Sequence, residues 1–80
     1  MKARVYVTLK KGVLDPQGKA VMGALKALSF DEVREVRIGK LIEIELDGAS
    51  REEEEARLRE MCEKLLANPV MEDFGIEIED

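Results

Sequence analysis

The chain has no histidine and no tryptophan, and among 80 residues it has one cysteine, one tyrosine and two phenylalanines. The missing histidine removes the commonest general base near neutral pH and the commonest metal ligand. With Cys62 as the single cysteine, no internal disulfide can form, and no Cys/His cluster exists to hold zinc. Aromatic residues make up 4% of the chain, and only Tyr6 falls where a strand could present a stacking ring to RNA. Long apolar runs are lacking too. The opening residues MKARVYVTLKK suit neither a signal peptide nor a membrane span and point to a cytosolic protein.

Charge is what the chain has in quantity. Eighteen acidic residues against thirteen basic ones give a net charge of -5, so nucleic acid is a poor partner unless the cations cluster. The 45% apolar content is that of a globular chain rather than a disordered one. Eighty residues lie near the lower limit for a self-sufficient core, and with no disulfide or zinc available, association is the expected supplement.

Residues 3–9 alternate, with Ala3, Val5, Val7 and Leu9 on one side and Arg4, Tyr6 and Thr8 on the other, the pattern of a half-buried strand. Asp15-Pro16 supplies a helix N-cap and a proline at the first helical position. Ala20, Val21, Ala24, Leu25 and Leu28 then recur at helical spacing to about Ser29. Residues 33–47 form a second extended region in which Val36, Ile38, Ile42, Ile44 and Leu46 share one parity. That parity fits either a three-residue loop near Gly39 or one long strand bent there. Ser50 with Glu53 is a capping box opening a second helix, with Leu58, Met61, Cys62, Leu65 and Leu66 as its apolar stripe. Glu53–Arg57, Glu55–Arg59 and Glu60–Lys64 have the spacing of helical ion pairs. Asn68-Pro69 ends that helix, and a last strand places Phe74, Ile76 and Ile78 inward. The order β-α-β(β)-α-β predicts a ferredoxin-like α+β sandwich, an antiparallel sheet with both helices on one face, and this fold implies no function by itself.

The stretch GVLDPQGKA, residues 12–20, has the outline of a phosphate-binding loop. Five residues separate Gly12 from Gly18, however, Ala20 stands where a magnesium-binding hydroxyl belongs, and Asp15 would repel phosphate. The capped start of a helix explains the same residues. The run Glu52–Glu55 reads as a solvated first turn favoured by the helix dipole, and Cys62 as a core residue. No catalytic, cofactor-binding or metal-binding constellation emerges.

The segments LKKGVLDPQGKAVMGALKAL, VREVRIGKLIEIEL and LLANPVMEDFGIEI together resemble PurS, the small subunit of phosphoribosylformylglycinamidine (FGAM) synthase, from Val5 to Glu79. The resemblance implies one PurS-like domain over residues 1–80. It implies a non-catalytic homodimer that bridges a glutaminase subunit and a large synthetase subunit, with ATP and magnesium on the latter. Within that reading, residues that core packing leaves unexplained are the expected partner contacts: Leu14, Asp15, Pro16, Gln17, Gly18, Arg37, Gly39, Lys40, Asn68 and Pro69. The alternative is an ACT-like dimeric sensor of small molecules, which Gly12 after the first strand keeps open. An acylphosphatase-like hydrolase fails, because the arginine-bearing loop it requires after the first strand is absent.

Overall fold

The computed structural model describes residues 1–48 and 50–79. The chain runs through β1 (Lys2–Leu9), α1 (Pro16–Ala27), β2 (Gly39–Glu45), α2 (Arg51–Met61), a π-helical turn (Cys62–Leu66) and β3 (Glu72–Glu79). The strands make one antiparallel sheet in the order β2-β1-β3. Central β1 sets Val5 between Ile42 and Ile76, and Arg4 between Glu43 and Glu77. The alternation of the sequence therefore sorts into two faces. Ala3, Val5 and Val7 are fully buried on the inner face. On the outer face Arg4 lies 2.8 Å from Glu79, and Lys2 lies 2.8 Å from Glu43. These cross-strand ion pairs are solvent-exposed and contribute modestly.

One layer of helix closes the inner face. Leu58, Cys62 and the residue after the π-helical turn, Ala67, complete the buried core, flanked by Ile42, Ile44, Phe74, Ile76 and Ile78. Ser50 caps α2 through its hydroxyl, which accepts the Glu53 N–H at 3.4 Å. The expected stripe is corrected at its end: Leu65 is 83% exposed, and Ala67 takes the buried place. The widened turn is the cause, since the Ala67 N–H donates to the Cys62 carbonyl at 3.0 Å, five residues back, and carries Leu65 outward. Of the three expected helical ion pairs, Glu60–Lys64 closes at 2.8 Å. Arg59 lies instead over the Phe74 ring, 5.8 Å from its centroid, a cation–π arrangement.

The middle of the chain settles the hairpin question. No ladder joins residues 33–38 to β2 among the described residues, so the segment passes into β2 without folding back on it. Helix α1 stops two residues before the expected Ser29, in a Schellman motif: the Phe30 N–H reaches the Leu25 carbonyl and the Ser29 N–H the Lys26 carbonyl, both at 3.0 Å. Ser29 holds φ 74°, the position where glycine is usual. Residues 31–38 then return along α1. Of the two helices expected on one sheet face, only α2 lies there within the chain. No α1 side chain joins the core cluster. The molecule is accordingly elongated, 49 × 26 × 14 Å with a radius of gyration of 15.9 Å. A compact chain of this length would have a radius of about 12 Å.

Candidate functional site

The sheet end where β1 finishes gathers the start of α1, the start of β2 and the loop before β3. Asp15 organises it. One carboxylate oxygen accepts the Gly18 N–H at 2.9 Å, the N-cap bond, and the other accepts the Ile38 N–H at 2.8 Å. These two bonds, the Gly18 bond foremost, hold the Asp15 carboxyl below the usual carboxylate range, and the charge of Arg37 adds to them. Proline at the first helical position fixes the backbone that aims the cap. Gly18 is buried because the Val36 carbonyl lies where a Cβ would project. A single carboxylate thus starts a helix and fastens the chain just before β2.

Asp15, Pro16, Gln17, Gly39 and Lys40 line one hollow of about 310 Å³, with Glu72 on its far wall. A neighbouring hollow of about 350 Å³ holds Leu14 and Arg37 together with Lys10, Lys11 and Lys19. The loop before β3 is fixed by its own bonds. The Asn68 side chain accepts the Val70 N–H at 3.0 Å, and its backbone N–H donates to Glu72 at 2.7 Å. The Lys10 N–H donates to the Met71 carbonyl at 2.8 Å, tying this loop to the end of β1. Pro69 lines a third hollow with Lys10 and Glu72, so Glu72 stands between the first and third.

The candidate contact residues from three separate stretches of sequence therefore meet at one end of the molecule, with Gly18 alone buried among them. Gly39 is exposed, yet the Val7 carbonyl occupies its Cβ position, so its small size serves strand pairing as well. What this end presents is a fixed shape, exposed lysines and a carboxylate already bonded to two backbone N–H groups. Sequence reasoning missed a second surface. Val21, Leu28 and Phe30 are 39%, 68% and 47% exposed, although the first two recur at helical spacing on a helix expected to cover the sheet. The helical period shows which residues share a face, but not whether that face has anything of its own to cover it.

Among the described residues no three Asp, Glu or Cys side chains group closely enough to hold a metal ion, and no helix is long and apolar enough to cross a membrane. Comparison with known proteins gives the family. The model of PurS, phosphoribosylformylglycinamidine (FGAM) synthase, matches residues 2–80. The chain belongs to the PurS family. It is 49% identical over 79 residues to the phosphoribosylformylglycinamidine synthase subunit PurS of Bacillus subtilis, covering 99% of this chain and 93% of that one. The crystal structure of Methanocaldococcus jannaschii PurS, one of the subunits of formylglycinamide ribonucleotide amidotransferase in the purine biosynthetic pathway, superposes with a TM-score of 0.87 at 45% identity. That match covers 98% of this chain and 94% of the other. A chain in the structure of PurLQS from Thermotoga maritima superposes with a TM-score of 0.87 at 29% identity, over 95% and 93% of the two chains. The family's fold is thus present from the first strand to the last.

Proposed function

We propose that this chain is the small, non-catalytic subunit of a multi-subunit FGAM synthase of de novo purine biosynthesis. The complex converts formylglycinamide ribonucleotide, ATP and glutamine to FGAM. In this reading a cytoplasmic homodimer of the chain bridges the glutaminase and the ATP-dependent synthetase subunits and supports ammonia transfer between them. ATP and magnesium sit on the large subunit. The observation that carries the reading is the family match over residues 2–80, joined by the superposition on a chain of the Thermotoga maritima PurLQS structure.

The geometry supports a contact role for the loop end of the sheet. Asp15 already uses both oxygens on backbone N–H groups, so it shapes this surface instead of reacting there. A bridging subunit needs a surface held in one shape, because any freedom lost on assembly subtracts from affinity. Reconstitution tests the function. Purified glutaminase and synthetase subunits should form FGAM from glutamine only when this chain is added, while free ammonia should serve without it. Full glutamine-dependent activity in its absence would refute the reading. Asp15→Ala and Arg37→Ala should weaken assembly with the two partners, and unchanged assembly with both would remove this end of the sheet from the interface.

A further inference from the structure

Helix α2 covers the inner face of the sheet, and no helix covers the outer face. At the centre of that outer face the register sets Tyr6 between Leu41 of β2 and Gly75 of β3. Tyr6 is 41% exposed and Leu41 52%, and neither belongs to the core cluster. Gly75 is the unexplained residue. Glycine inside a strand weakens it, and it usually marks a bulge, a special backbone angle or a close approach from outside. The β1–β3 register runs unbroken through Gly75, and its φ is not positive. Nothing in the chain lies within 4 Å of where its Cβ would project. The sheet therefore carries an exposed aromatic ring with open ground beside it, and no contact within the chain requires that ground.

The charges around this spot are unbalanced. Lys2 and Arg4, the two cations that β1 places on the face, are already held by Glu43 and Glu79 at 2.8 Å. Glu77 shares Arg4 at 4.0 Å, while Glu45 and Asp73 have no ion partner among the described residues. Five carboxylates thus face two cations. Asp73 and Glu77 flank Gly75 two residues away on either side along β3, and both are exposed.

We propose that the outer face, centred on Tyr6 and Gly75, docks one of the two partner subunits by receiving an arginine from a basic patch on that subunit. The proposal rests on the subunit role above and gives the bridge a contact surface beyond the loop end of the sheet. Arginine fits all three features of the spot. Its planar guanidinium stacks on an aromatic ring, its fork pairs with a carboxylate, and its long stem lies flat where a strand has no side chain. Tyrosine and arginine are also the residues that most often anchor protein interfaces, with charged residues at the rim. Charge decides against the other occupants. A second copy would set five carboxylates against five, and nucleic acid would meet the same repulsion.

Binding of the chain to purified glutaminase and synthetase subunits, separately and together, tests the proposal. Gly75→Arg fills the open ground with a cation of the chain's own, and Asp73→Lys combined with Glu77→Lys reverses the flanking charge. All three positions are exposed, so both variants should keep the circular dichroism and urea midpoint of the unaltered chain. Each should weaken binding to one subunit about tenfold or more and leave the other unchanged, as should Tyr6→Ala. Added salt should slow association with that same subunit, and the charge-reversed variant should lose this salt dependence. Unchanged binding of Gly75→Arg and of the charge-reversed variant to both subunits overturns the proposal and leaves the subunit role standing. Equal weakening toward both overturns the assignment of this face to one partner. Light scattering that shows altered self-association, with partner binding intact, gives the face to a second copy and overturns the proposal too. An unaltered chain that binds neither subunit, alone or together, overturns the subunit role and the proposal with it.

Discussion

Gly18→Ala and Gly23→Ala are the same chemical change on the same helix, and the structure predicts opposite signs. Replacing glycine by alanine within a helix gains about 0.5–1 kcal/mol, because glycine loses more backbone freedom on folding. At Gly23 nothing lies within 4 Å of the new Cβ, so that gain should be realised in full. At Gly18 the added methyl would overlap the Val36 carbonyl and lie 2.7 Å from the Asp15 carboxylate oxygen. The carboxylate can move, but the carbonyl belongs to a backbone fastened two residues on by the Ile38–Asp15 bond. Overpacking of this kind costs about 1–3 kcal/mol. Set against the propensity gain, Gly18→Ala should lose about 1–2 kcal/mol, which leaves the two variants about 2 kcal/mol apart. For a domain of this size each kcal/mol shifts Tm by about 4–8 °C. Urea unfolding followed by circular dichroism reads the difference directly. All samples should share one protein concentration, because any association between copies couples stability to it. A Gly18→Ala variant as stable as Gly23→Ala would refute the idea that the close approach of residue 36 holds α1 in place.

Four further outcomes follow from the same geometry. Leu58→Ala empties a fully buried site beneath the sheet and should cost about 2–5 kcal/mol, seen as a large fall in the urea midpoint. Ser29→Gly should relieve the left-handed backbone at the end of α1 and raise stability by up to about 1 kcal/mol in the same assay. Because the folded Asp15 pKa is depressed, its contribution is complete above the unfolded carboxylate value of about 3.9 and is lost as pH falls through the lower folded value; Asp15→Asn should therefore flatten part of the acid side of the stability–pH curve. Burial pushes the Cys62 thiol up, so a thiol reagent at pH 8 should leave the native chain unlabelled and modify one group in urea, and rapid native labelling would contradict its place in the core.

Local chemistry made much of the fold legible in the sequence. The alternation of β1, the Asp15-Pro16 cap, the Ser50 cap and the inward parity of Phe74, Ile76 and Ile78 each rest on neighbours a few residues apart, and each is present in the structure. The π-helical turn after Met61 was not legible. Cys62, Leu65 and Leu66 obey the ordinary helical period, and only packing beneath the sheet chooses Ala67 over Leu65. The candidate contact residues could be named one by one from residues left unexplained, but their assembly at one end depends on the sheet order β2-β1-β3.

The stretch from Gly12 to Lys40 marks the division most clearly. By itself the sequence determined that a capped helix forms there, since a cap, a proline and a helical period act within a few turns of chain. It also fixed the parity of residues 36 to 46, and with it which face of that run is apolar. Only the tertiary structure decided where the helix goes. Asp15 binds the backbone of Ile38, residues 33–38 follow α1 without folding back on β2, and the apolar side of the helix is left outside the core. Periodicity records that a surface is apolar, while the position of the covering surface depends on contacts far apart in the chain, or on a second chain.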